Sequence, residues 1–153
     1  MNSLIERLGF QRLPLQRLLA VVAILAICGI AVSYVSLQHH YAKSKTEYCE
    51  IGENFNCDIV NRSQYSTLFG IPVAFIGMLG YGALAALATV YRENRDAPIL
   101  MFGGSVAGLA FALYLTYIEA YVLGVWCILC LSSLALIASI TLVSAVVWWK
   151  SRN

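Results

Sequence analysis

The sequence predicts an all-α membrane protein, a four-transmembrane-helix bundle with one long extracytoplasmic loop capping a pocket. Three observations predict it. Hydrophobic residues make up 60% of the 153 residues and charged residues only 12%, against roughly a quarter charged in ordinary soluble domains. Four apolar stretches, approximately residues 15–37, 68–91, 98–122 and 126–149, each approach the ~20 residues that cross a hydrocarbon core as a helix. Helices are expected there because lipid cannot satisfy exposed backbone groups. Charged residues mark the edges, with Arg12 and Arg17 before the first stretch, Arg92 to Asp96 between the second and third, and Lys150 and Arg152 after the fourth. The length suits a single domain spanning 1–153.

The first stretch is longer than the apolar region of a signal peptide, so it is expected to remain as a helix. Ile27, not a small residue, precedes Cys28, which argues against a lipid-modified cysteine; Cys28 is expected to be a mid-helix packing residue. His39 and His40 follow at the interface, where ordinary solvation accounts for them. The outer loop, 38–67, carries Cys49 and Cys57, turn signals at Gly52 and 54–56, and an expected short helix over 57–65 capped by Asn56. In the second and third stretches Gly77, Gly80, Gly82, Gly103, Gly104 and Gly108 are expected to permit close helix packing. Tyr34, Tyr41, Trp126, Trp148 and Trp149 fall at span ends as interface anchors.

Lys and Arg accumulate on the cytoplasmic side of short loops. Arg7, Arg12, Arg17, Arg92, Arg95, Lys150 and Arg152 fall with the two termini and the short second loop; Lys43, Lys45 and Arg62 fall in the long loop. Both termini are therefore expected in the cytoplasm, and Cys49, Cys57, Cys127 and Cys130 at the extracytoplasmic face, where disulfides persist. A net charge of +2 without a basic stripe or a Gly-rich phosphate motif points away from nucleic acid and nucleotides.

Cys127-Ile-Leu-Cys130 opens the fourth helix. Positions i and i+3 share a face, so the sulfurs can pair. Unbonded N–H groups at a helix start favour a thiolate, and a lower thiol pKa improves both nucleophile and leaving group. Cys49 and Cys57, eight residues apart in the loop, form a second candidate pair able to pass electrons inward by thiol exchange. A structural disulfide remains open for either pair, as does four-cysteine zinc binding, which would quench the thiols. Electrons reaching a disulfide in the membrane need a carrier, and a lipid-soluble quinone entering between the outer ends of helices two, three and four suits the position. Glu119 is an acid within a membrane helix, a functional hypothesis by default. It is placed either to relay a proton to the quinone or influence Cys130, or as an interfacial carboxylate.

The run from Tyr114 to Cys130, Ser63 six residues after Cys57, and Phe69-Gly70 resemble the vitamin K epoxide reductase family, with the cysteine pairs in the same order over nearly the whole chain. The resemblance implies that Cys49 meets a reduced partner, that Cys57 exchanges with Cys49 and attacks Cys127, and that Cys130 faces a quinone of the ubiquinone or menaquinone (vitamin K) type. It implies Ser63 near the quinone, with Phe69, Leu115 and Leu123 at apolar pocket positions. Where the animal enzymes carry asparagine and tyrosine, this sequence has Ser66 and Leu134. Ser66 could still donate a hydrogen bond to the quinone, whereas Leu134 could not, so a less polar grip is expected. The segment from Ser66 to Pro72 resembles the microbial branch. Many members of that branch carry a fused thioredoxin-like domain; here the sequence stops at Asn153, so the expected partner is a separate thioredoxin-fold thiol oxidoreductase outside the cytoplasm. Two other functions stand beside quinone-coupled disulfide formation: reduction of a vitamin K epoxide with a thiol donor, and a non-catalytic membrane scaffold with structural disulfides.

Overall fold

A computed structural model of the chain describes residues 14–41, 59–60, 63–90 and 93–152. They form four helices: α1 (Leu15–Tyr41), α2 (Val73–Thr89), α3 (Ala97–Ile118) and α4 (Ile128–Arg152). A π-helical turn, Glu119–Leu123, continues α3. α1, α4 and α3 with its π turn are long and apolar enough to cross a membrane. With 17 residues, α2 is shorter, roughly 26 Å at 1.5 Å per residue.

The second apolar stretch is expected to be helical from about residue 68, but its first residues are extended. Thr67–Leu68 (β1) pairs with Ile71–Pro72 (β2) across a two-residue turn at Phe69 and Gly70. Both turn residues have positive φ, 53° and 81°, as a hairpin matched to the strand twist requires. Gly70 adopts that conformation freely, whereas Phe69 holds it against its Cβ. Pro72 then disfavours helix at the residue before it, so α2 starts at Val73. Of the expected 57–65 helix, residues 57–58 and 61–62, with the Asn56 cap, lie outside the described residues; within them Ile59 and Val60 are helical and Gln64–Ser66 forms a 3-10 turn.

Neighbouring helices pack in a closed circuit: α1 on α2 and α4, and α3 on α2 and α4. Leu18, Val22 and Ala26 of α1, one turn apart, meet Tyr81, Leu84 and Ala88 of α2, Met101 of α3, and Ile137, Ile140, Val143 and Val147 of α4. The helices are apolar all round, as expected in lipid; Ile24, Ile27, Leu79 and Leu142 face outward. Cys28 also faces outward and is not the packing residue expected, because the core stripe of α1 runs through Val22, Ala26 and Gly29. Beyond the α4 core, Phe102 stacks on Trp148 with ring centroids 5.5 Å apart, and Arg152 lies over the same indole.

Small residues set three of the helix contacts. A Cβ at Gly29 would enter the Tyr81 ring, and one at Gly108 would stand 3.2 Å from Ile137. At Gly77 it would meet Ser33 Oγ at 3.0 Å. Gly80, Gly82 and Gly103 have open space there, so their smallness is not used for packing. The Tyr81 hydroxyl spans to α4, donating to the Ser133 carbonyl at 2.9 Å and lying 2.8 Å from Ser133 Oγ.

Candidate redox site

The site forms where the end of α1, the hairpin, the π turn and the start of α4 come together. After Glu119 the backbone widens into the π turn and ends at Gly124, whose φ of 67° reverses the chain. The short connection that follows delivers Cys127 to the start of α4. The Cys127 carbonyl accepts from Leu131 N–H at 3.0 Å, which makes Cys127 the N-cap of that helix. Its thiol lies below its ordinary pKa. The hydrogen bond from the Cys130 side chain is the main cause, aided by the N–H groups of Cys130 and Leu129, against burial and the Glu119 charge. The positive end of α4 therefore acts on Cys127, the residue at the cap, as the CxxC spacing suggested.

Cys127 is fully buried in a small cluster with Val60, packed by Leu123, Val125, Leu129 and Cys130. Cys130, one turn into α4, lines a cavity of about 340 Å³ between the helices. That wall is mostly apolar, with Phe111, Leu115, Ile118, Leu123 and Ile137 among its residues. Its polar members are few: Ser36, His40, Ser63, Tyr65, Ser66, Ser133 and Glu119. A mainly apolar cavity with a few convergent polar groups is what a small organic ligand requires.

Of the residues expected to hold the quinone, Ser63, Ser66, Leu115, Glu119 and Leu123 line this cavity. Phe69 does not. It stands at the hairpin tip, 96% exposed, because the positive-φ turn projects its ring away from the bundle. Position 134 also lies outside the lining, and Ser133 beside it faces inward. In this structure the Ser66 hydroxyl donates to the Ser63 carbonyl at 2.6 Å. Ser63 Oγ likewise donates to the Val60 carbonyl at 2.8 Å. A hydroxyl has one proton to give, so toward the cavity both oxygens are acceptors. Cys49 and Cys57 lie outside the described residues.

Two features went unread in the sequence. His40 lines the cavity, with Nδ1 3.4 Å from Ser66 Oγ, rather than merely solvating an interface. The signal was present: Ser33, Ser36 and His40 fall at i, i+3 and i+7, a polar stripe on an otherwise apolar helix, and such stripes face the bundle interior. Tyr81 and Ser133, joined across α2 and α4, also line the cavity.

Glu119 is not an interfacial carboxylate. It is 1% exposed. Oε2 accepts the main-chain N–H of Cys127 at 3.1 Å, and the carboxylate lies beside the Cys130 thiol. Oε1 is buried with no hydrogen-bond partner among the described residues. No group of three or more His, Cys, Asp or Glu side chains gathers in metal-binding range among the described residues.

Comparison with known proteins gives a consistent result. The model of the vitamin K epoxide reductase family matches residues 20–145. The vitamin K epoxide reductase complex subunit 1 of Rattus norvegicus is 27% identical over 139 residues, 78% of this chain and 85% of the rat protein.

Proposed function

The chain belongs to the vitamin K epoxide reductase family and is a membrane oxidoreductase of that type; from that premise we propose that it is a quinone-dependent thiol–disulfide oxidoreductase supporting disulfide formation outside the cytoplasm. The observation that carries this reading is the placement of Cys130 on the wall of an apolar cavity while its partner Cys127 sits capped and buried behind it. One cysteine faces the space where a quinone would fit, and the other packs against Val60.

On this reading a reduced thioredoxin-fold partner gives its electrons to Cys49. Cys57 exchanges with Cys49 and attacks Cys127, which leaves a Cys57–Cys127 disulfide and frees Cys130 as the thiolate facing the cavity. Cys130 is the member from which electrons reach the quinone. When bound, the quinone supplies a two-electron, two-proton sink. Leu115, Phe111 and Leu123 would pack its ring, and His40 and Glu119 would meet its polar edge. Both termini lie in the cytoplasm and the four redox cysteines at the opposite face, as the distribution of Lys and Arg supports.

The name of the rat relative supports a second reading, reduction of a vitamin K epoxide with a thiol donor. Offering quinone and epoxide separately to purified protein separates the two: quinone turnover without epoxide turnover is expected. The electron path is tested by trapping mixed disulfides in Cys57→Ala and Cys127→Ala variants. Capture of a thioredoxin-fold protein through Cys49 is expected; failure of Cys49 to capture any such protein contradicts the path at its first step.

A further inference from the structure

We propose that Glu119 is the proton acceptor for the Cys130 thiol, taking protons as the Cys127–Cys130 disulfide forms and releasing them into the cavity. The proposal deepens the reading of Cys130 as the cavity-facing thiol and rests on it.

A carboxylate inside a membrane bundle is costly and calls for a use. Half of Glu119 has an evident one. Oε2 accepts the Cys127 N–H and so fixes the cap residue against the π turn. An uncharged amide would serve that purpose equally well. The other half is unexplained by packing: Oε1 is buried without a hydrogen-bond partner among the described residues, at a position that lines the cavity together with Cys130. The carboxylate's other neighbour is the Cys130 side chain, which interacts with it; an orphaned buried acceptor costs about 1–3 kcal/mol, more when charged, so an oxygen left open beside that thiol is placed to take its proton. The backbone supports this. The helix changes from α to π at Glu119, and π turns concentrate at functional sites.

The step balances as follows. Two S–H bonds break and one S–S bond forms between Cys127 and Cys130. Two electrons and two protons leave the pair, and the quinone is reduced to the hydroquinone. Glu119 Oε1 takes the Cys130 proton, becomes neutral and gives it up to a quinone oxygen in the cavity. Restored to the carboxylate, it takes the Cys127 proton by the same route.

The test uses the full chain in lipid vesicles, reduced and then mixed anaerobically with a short-chain ubiquinone analogue. Glu119→Gln keeps an acceptor for the Cys127 N–H but cannot exchange a proton. Its kcat for quinone reduction is expected to fall by roughly 10²–10⁴-fold, the usual contribution of a positioned acid–base group, with KM for the quinone little changed. The second readout is an infrared difference spectrum of wild-type protein between its oxidised and reduced states. A carboxylate-stretch signal that shifts with isotope-labelled glutamate and vanishes in Glu119→Gln is expected, because the neighbour of that carboxylate changes from thiol to disulfide. Wild-type kcat in Glu119→Gln overturns the proposal, as does the absence of any glutamate carboxylate signal in the wild-type spectrum. Should Glu119→Gln fail to assemble, the labelled wild-type spectrum decides alone. Cys130→Ala separates the two levels: if it too turns over quinone, the reading of the site fails, whereas a dead Cys130→Ala beside an active Glu119→Gln overturns only the proton role.

Discussion

The main-chain N–H of Cys127 donates to Oε2 of Glu119 at 3.1 Å, eight residues earlier in the chain. This one bond joins the end of the third helix to the start of the fourth and holds the capping cysteine in place. Removing the acceptor leaves a buried N–H unsatisfied. Glu119→Ala is therefore expected to lose about 1–3 kcal/mol of stability, while Glu119→Gln loses less. Thermal unfolding in detergent, followed by circular dichroism, measures the difference; equal stability of the Ala variant and wild type would show that the bond is dispensable.

Gly29 gives the sharpest packing prediction. A Cβ there would enter the Tyr81 ring, and Tyr81 is held at its far end by Ser133. Gly29→Val should displace the ring, break its bonds to α4 and cost on the order of 1–3 kcal/mol. A loss of melting temperature that Tyr81→Ala partly relieves is the expected pattern.

Phe69 holds φ at 53° in an exposed turn, where a side chain pays about 1–2 kcal/mol. Phe69→Asn, creating the Asn-Gly pair preferred in such turns, is expected to stabilise the protein by about 1 kcal/mol. An unfolding titration would record it, and a marked loss of stability would place the ring in a contact the turn geometry does not give it.

The lowered pKa of Cys127 has a pH consequence. A depressed thiol is in its charged, reactive form at lower pH than an ordinary cysteine, so thiolate absorbance attributable to Cys127, taken as wild type minus Cys127→Ala, should rise with an inflection below about 8.5, the free-thiol value. The Cys130 side chain is the main cause, so Cys130→Ala should move that inflection upward. An unmoved inflection would assign the shift to the helix terminus instead.

Much of this architecture was legible in the sequence, because lipid imposes simple demands. Apolar stretches of spanning length give the four-helix bundle, and the CxxC spacing gives the paired thiols at the start of α4. The hairpin at Thr67–Pro72 was not legible, since Leu68, Phe69 and Ile71 continue an apolar run and only the Gly70 and Pro72 signals interrupt it. Phe69 was placed in the pocket by resemblance, yet a two-residue turn sends its ring outward. Cys28 illustrates the limit of composition: in a helix apolar all round, only the register of Val22, Ala26 and Gly29 decides which side is inner. His40 was missed because it was weighed alone, whereas with Ser33 and Ser36 it completes a polar stripe. The Glu119–Cys127 bond depends on a π turn, which no residue pattern announces.

The central claim is that Cys130 is the thiol from which electrons reach a quinone. The most direct measurement is anaerobic reduction of a ubiquinone or menaquinone analogue by pre-reduced protein, wild type against Cys130→Ala, both shown to be folded. The account predicts rapid stoichiometric reduction by wild type and none by Cys130→Ala; quinone reduction by Cys130→Ala at the wild-type rate would contradict it.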